Sequence, residues 1–382
     1  MRGNAHQHEN LVIGGGLAGA MVALRLASAG RDVLLLDKER DAHHKVCGEF
    51  LSPEAVEYLL MAGVDPVRLG ASPIASVRLS VKRRIVQTCL PFRGLSVSRY
   101  VLDAALLSRA EAAGCQIRRG TPVQGLFRSG DGWVAQLADT AAVTARTVFL
   151  ATGKHDLRGW ARPPGKQNQL VGFKMHWRLR PEQTNALRGF MDLFLFKGGY
   201  GGLALVEGET ANLCFVVRRS RLHQLGDWRR LLGALCEENV LVAERLTGAE
   251  SLWERPLAIS SIPYGYLEDS ECEVWRVGDQ AAVIPSFTGD GMAIALHSGA
   301  LAAEMCKAGD AAEQYHRTLK QQVRSGMLIA GLLSRAMVSA AGRELAPLLI
   351  PFLPHPIGWI ARSTRIPSCE LRPAFAHNGP HS

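Results

Sequence analysis

Residues 10–37 read NLVIGGGLAGAMVALRLASAGRDVLLLD. An apolar strand runs into Gly14, Gly16 and Gly19, a GxGxxG spacing, and a helix begins at once. In that position the glycines allow a tight turn and close backbone approach, while the helix amides point at a pyrophosphate. Leu17, Met21, Leu24 and Leu26 supply apolar contacts for the helix and Gly30 ends it. The run from Asp32 supplies a second strand, and Asp37 falls roughly 20 residues beyond the glycines, where an acid hydrogen-bonds an adenosine ribose. A bound dinucleotide follows from this order of elements. NAD and FAD both remain open at this point.

Residues 273–304, EVWRVGDQAAVIPSFTGDGMAIALHSGALAAE, separate the two. They predict a strand ending at Gly278-Asp279, a loop through Pro285 and a helix starting near Gly291. NAD has no need of such a segment. A flavin has ribityl hydroxyls for Asp279, and its pyrimidine edge gains negative charge on reduction, which helix amides stabilise.

With SRYVLDAAL at residues 98–106 between them, these motifs resemble the flavoprotein group of para-hydroxybenzoate hydroxylase, flavin-dependent halogenases and geranylgeranyl reductases. The resemblance covers most of residues 9–325. It implies FAD held by Gly14, Gly16, Gly19, Asp37 and Lys38 toward the adenosine end. Arg99 would lie near the phosphates or ribityl chain and Asp279 at the ribityl. Gly289, Gly291 and Met292 would lie beside the isoalloxazine. TVFLATGKHDLRGW, residues 147–160, departs from the hydroxylases: Gly153-Lys154 is followed by His155 and Asp156, so a hydroxylase role for Asp156 does not carry over.

The remaining strand-like runs, VRLSV, LVGFKMHWRL, FMDLFLF, GGLALVE and NLCFVV, predict an antiparallel sheet roofing the substrate. The expected fold is α/β, a discontinuous Rossmann-like FAD-binding domain with an inserted antiparallel-sheet substrate domain and a C-terminal helical segment. Residues 1–72, 96–168 and 256–325 are assigned to the first, 73–95 and 169–255 to the second, and 326–382 to the third.

KVCGEFLSP, residues 45–53, resembles the K-x-C-G element of geranylgeranyl reductases, and Gly48-Glu49 the Gly-Glu of halogenases. The resemblance places Cys47 and Gly48 along the reactive edge; the alternative for Cys47 is a buried filler. Tyr200 faces substrate or packs the sheet core. Asp290 caps the following helix or donates a proton. No WxWxIP occurs, which argues against halogenation. No metal site is expected, because His43 and His44 are not read as part of a complete tetrahedral set with carboxylates or thiols.

Composition sets the outer bounds. The 382 residues are 47% hydrophobic and 21% charged, enough for a sizeable core. The net charge of +9 is spread over arginine pairs such as Arg83-Arg84 and Arg229-Arg230, a solvated surface rather than a nucleic-acid footprint. Eight cysteines without a CxxC pair favour reduced thiols. The polar N-terminus and the lack of an apolar run of about 20 residues lead to the expectation of a cytoplasmic protein. From Met327 the chain turns apolar with basic edges and prolines at 347, 351, 354 and 356, a lid over the sheet or a peripheral membrane contact.

The function expected is an FAD-dependent oxidoreductase drawing electrons from NADH or NADPH, bound transiently, or from a flavin-reducing partner. A monooxygenase of an aromatic or lipophilic small molecule in secondary metabolism is the leading expectation, because little of the reductase signature is present. Two alternatives stand beside it: a geranylgeranyl-reductase-like ene-reductase of an isoprenoid double bond, and a non-catalytic prenyl- or protein-binding relative.

Overall fold

The apolar runs ending at Ile13 and Leu36 lie side by side as parallel strands, with Asn10 opposite Val33 and Ile13 opposite Leu36. Around them the computed structural model describes residues 7–138, 142–167, 169–268, 272–339 and 341–342. The first half of the chain runs β1 (Gln7–Ile13), α1 (Leu17–Ser28), β2 (Val33–Leu36), β3 (Phe50–Leu51), α2 (Pro53–Met61), β4 (Ser72–Val81), β5 (Arg84–Ser96), α3 (Arg99–Ala112), β6 (Gln116–Arg118), β7 (Val123–Ser129), β8 (Gly132–Leu137) and β9 (Val143–Leu150). There follow β10 (Leu170–Arg178), α4 (Pro181–Leu187), β11 (Gly189–Phe196), β12 (Gly199–Leu205), β13 (Ala211–Arg218), α5 (Arg219–Leu225), α6 (Trp228–Glu238) and α7 (Val240–Leu246). The chain then continues through β14 (Glu250–Ser251), β15 (Leu257–Ser260), β16 (Trp275–Arg276), α8 (Gly291–Ala308) and α9 (Ala312–Val338).

Among the described residues these strands form two sheets. The first has the order β6-β2-β1-β9-β8-β7, with β16 also on β9. Its β6, β2, β1, β9 and β16 are parallel, and the β7–β8 hairpin adds antiparallel strands. The four residues of β2 are all buried, as a parallel strand covered on both faces requires. Helix α1 packs against α3 and α8 over one face, with Leu17, Met21, Leu24 and Leu26 in that core as expected. The strand, glycine turn, helix and second strand thus stand where the sequence puts them.

The second sheet runs β14-β10-β13-β12-β11-β4-β5-β3, with β15 beside β10. It is antiparallel apart from the β11–β4 pair, which is parallel. All five predicted runs are strands of this sheet. It also takes up Phe50–Leu51 and Leu257–Ser260, from segments the sequence assigns to the cofactor unit. Side chains alternate: Phe173, Met175, Leu213 and Phe215 pack outward against Leu231, Leu235 and Val242 of α6 and α7. Gly172, Lys174, His176, Asn212 and Cys214 occupy the other face. Those helices lie beyond the last predicted strand run, in a stretch assigned from sequence to the sheet unit.

Helix α9 covers residues 312–338, crossing the boundary drawn at 326; residues 343–382 of the predicted C-terminal segment lie outside the described residues. Among the described residues no helix is long and apolar enough to cross a membrane.

Candidate active site

The turn after β1 is shaped by what a side chain would strike. Gly14 has φ +110°, and a Cβ there would lie 2.4 Å from the Ala151 carbonyl oxygen. At Gly15 it would meet the Asp37 carboxylate at 2.4 Å, so that acid lies directly against the loop backbone. Gly16 is the N-cap of α1 and supplies no side-chain cap, leaving the first amides of the helix open. Gly19 does not line the cleft. A Cβ there would lie 2.0 Å from the Gly14 carbonyl oxygen, so its part is the close packing of helix on turn.

Two cations face this loop. Arg99, the first residue of α3, pairs with Asp103 through Nε at 2.6 Å and Nη2 at 2.8 Å, and Lys45 Nζ reaches the same carboxylate at 2.8 Å. Burial works to raise the Asp103 carboxyl, but Arg99 and Lys45 together hold it below the usual carboxylate range. Arg99 Nη2 and Lys45 Nζ lie 3.5 and 3.6 Å from the Cβ position of Gly16. Open amides, two cations and an acid at the end of β2 are a donor set that fits a dinucleotide. Lys38, beside Asp37, lines the same cleft and pairs with Glu39 at 3.6 Å.

The cleft continues past Asp279, in a 3₁₀ turn at Gly278–Gln280 with its carboxylate 3.5 Å from Lys154 Nζ, to Gly289, Gly291 and Met292 at the start of α8. Gly289 has φ +75°, and a Cβ there would strike the Phe50 ring at 2.5 Å. Asp290 corrects an expectation. It occupies the N-cap position of α8 but makes no side-chain cap, and it is buried outside the cavity wall. Asp156 pairs with Arg162 at 2.7 Å, and Arg162 also donates to the Asp279 carbonyl.

The cleft and a chamber beneath the second sheet form one continuous cavity of about 990 Å³. Leu79, Leu193, Leu195, Val216, Phe287 and Met337 are among its walls. Cys47 and Gly48 line it as expected. Cys47 is half-buried, its carbonyl accepts from Asn212 Nδ2 at 3.1 Å, and its Sγ accepts from the Glu49 amide at 3.4 Å. Tyr200 lines the cavity too, with its hydroxyl 3.2 Å from Ser334 Oγ and its ring edge-on to Phe287. Burial raises the Tyr200 phenol well above its ordinary value. It is a hydrogen-bonding wall residue, neither purely core nor a ready acid.

One group escaped the sequence. Glu49 and Lys174 are fully buried and ion-paired, and His176 Nε2 lies 3.4 Å from the other Glu49 oxygen. Burial works to raise the Glu49 carboxyl, but His176, Lys174 and the Arg99 amide outweigh it and hold it low. His44 packs against His176, Tyr100 and Trp253, and burial followed by the Lys174 charge lowers it to about 4. His44, Glu49 and His176 bring ligating atoms within 4.8 Å of one another. The Lys174 ammonium already neutralises the carboxylate, so the group is an ion-paired hub. Its sequence signal is a lysine and a histidine two apart within LVGFKMHW, sharing one strand face.

Residues 7–150 match the family model described as the FAD binding domain. The chain is 26% identical to a menaquinone reductase of Mycolicibacterium smegmatis, covering 84% of this chain and 82% of that one. It is 27% identical to digeranylgeranylglycerophospholipid reductase 2 of Methanopyrus kandleri, covering 77% and 76%. Its fold is that of a geranylgeranyl bacteriochlorophyll reductase-like structure from Thermoplasma acidophilum, with TM-score 0.73, 18% identity and coverage of 98% and 97%.

Proposed function

Taking an FAD-dependent oxidoreductase with an FAD binding domain at residues 7–150 as the premise, we propose that this chain reduces a carbon–carbon double bond in a long apolar molecule of isoprenoid character. NADH or NADPH is the proposed electron donor. One observation carries the reading: the dinucleotide cleft opens without interruption into a chamber walled by aliphatic and aromatic side chains. The two reductase relatives support it, as their names point to lipophilic substrates.

FAD would be held by the Gly14–Gly16 turn, the α1 amides, Asp37, Arg99 with Lys45, and Asp279. When bound, it supplies hydride chemistry. The chain's own residues do the rest. Leu193, Leu195 and Val216 exclude water and align an apolar chain along the sheet, and the open amides of α8 offer donors to negative charge at its N-terminus. Tyr200 and Ser334 hold a proton in a fixed hydrogen bond at the chamber wall. Helix α9 supports entry from an apolar phase, since Leu333 and Met337 line the cavity while Leu328 and Leu332 are exposed.

Anaerobic flavin reduction by NADH or NADPH, followed by addition of menaquinone or a geranylgeranyl lipid, tests the proposal. The expected product has gained two hydrogens across a carbon–carbon double bond of the isoprenoid chain, and for menaquinone this gain persists after reoxidation of the quinol. No hydrogenated product in the anaerobic arm, with oxygen consumption matched by a product carrying one more oxygen atom in a parallel aerobic arm, would refute it and select the monooxygenase reading.

A further inference from the structure

Glu49 stands where three parts of the molecule meet. Its φ is +60°, a left-handed conformation that a side-chain-bearing residue keeps only when its surroundings enforce it. The surroundings are specific. Its Oε1 accepts from the Arg99 amide at 2.8 Å, the first amide of α3, and from Lys174 on β10 of the second sheet. Its carbonyl accepts from Ser96 Oγ at 3.0 Å and from the Val97 amide at 3.2 Å. Its own amide donates to Cys47 Sγ. On one side of it the residue 43–49 loop lines the cavity, and on the other Arg99 extends to the Gly16 turn.

We propose that Glu49 is a positioning residue, and that its ion pair with Lys174 clamps the substrate sheet to the FAD cradle. Through the Arg99 amide it sets where the guanidinium meets the phosphate turn. Through its backbone it sets how Cys47 and Gly48 face the chamber. Asn212 on β13 holds the Cys47 carbonyl from the same sheet face, so loop and sheet are tied at two points. The clamp serves the cofactor cradle whichever acceptor takes the electrons, so it does not depend on the reductase reading.

The test uses holoprotein variants Glu49→Gln, Lys174→Met and the double variant, each with saturating FAD for the labelling arm. Two quantities are read: FAD affinity, and the rate at which iodoacetamide alkylates Cys47, resolved by mass spectrometry with exposed Cys89 as reference. Each single variant should weaken FAD by about tenfold, the scale of one hydrogen bond to a charged group. Cys47 should alkylate faster with Cys89 unchanged, and the double variant should be no worse than the poorer single one. A merely structural pair would lower the melting temperature while leaving FAD affinity and Cys47 shielding at wild-type values, and that result overturns the proposal. Strictly additive effects in the double variant overturn it too. Where a single variant does not fold, the double variant decides: weakened FAD and an exposed Cys47 support the clamp, and wild-type values for both refute it.

Discussion

Replacing Gly16 with alanine separates cofactor binding from folding more cleanly than any other change at the phosphate turn. The backbone there has φ −76°, which any residue adopts. An added Cβ meets only Arg99 Nη2 at 3.5 Å and Lys45 Nζ at 3.6 Å, ordinary contact distances to flexible side chains. Loss of unfolded-chain freedom favours alanine by about 0.4–1 kcal/mol, and its weaker N-capping costs a similar amount, from a few tenths to about 1 kcal/mol. The apo protein should therefore melt near the wild-type temperature. The methyl group, however, stands beside the open α1 amides and the two cations, the place proposed for the pyrophosphate. Overpacking of that kind costs about 1–3 kcal/mol, or about 5- to 150-fold in FAD affinity. Gly19→Ala is the control. Its Cβ would lie 2.0 Å from a backbone oxygen, so it should destabilise the apo fold itself. Differential scanning fluorimetry of apo protein with FAD titration by fluorescence quenching reads both. A Gly16→Ala protein with unchanged melting and unchanged FAD affinity would refute a phosphate site at this turn.

Asp192→Ala removes the 2.8 Å partner of buried Arg245, which keeps Gln183 and the more distant Glu244, and the 3.3 Å partner of Arg78; urea unfolding should show a loss of about 1–3 kcal/mol, and a loss near zero would show that the pair is not closed to water. His316 is held neutral by burial at about 4, with Nε2 accepting from the Arg276 amide at 3.2 Å. Because the unfolded chain protonates this residue near 6.5, stability should fall as pH drops from about 6.5 toward 4, by up to about 3 kcal/mol. His316→Gln should flatten that part of the curve, and parallel wild-type and variant curves would contradict it. Gly202→Val adds bulk to the chamber wall beside Leu193, 3.3 Å from its Cδ2. FAD content should be unchanged while turnover of long apolar substrates falls more than that of short ones; equal loss for both would argue against a chain lying along this strand.

What the sequence discloses follows from distance along the chain. The β1 turn, α1 and Asp37 are legible because their chemistry is local: a strand, three glycines, an apolar helix and an acid within residues 7–37. Strands β10 to β13 are legible from their apolar alternation. Helices α6 and α7 follow the last strand-like run, which ends at Val217, and are not separated from the sheet unit to which residues 169–255 are assigned. Glu49 and Lys174 are 125 residues apart, and no local spacing announces their pairing. At Asp290 the N-cap position is legible but the absence of a side-chain cap is not, because a place between two glycines does not fix the side chain's partners.

The inner face of the second sheet divides its work by position. Toward β11 and β12 it presents Leu193, Leu195 and Ala204 to the chamber. Toward β10 and β13 it presents Lys174, His176 and Asn212 to the loop carrying Glu49 and Cys47. Both jobs depend on one alternation, because the intervening residues Phe173, Met175, Leu213 and Phe215 fill the outer core. A slip of one residue in β10 would exchange these sets. Lys174 and His176 would be forced among the apolar side chains under α6, without Glu49 to balance the charge, and phenylalanine would meet a buried carboxylate. The charged pair therefore fixes the strand register at the point where the substrate sheet meets the cofactor unit, and the same register turns the aliphatic residues of neighbouring strands into the chamber.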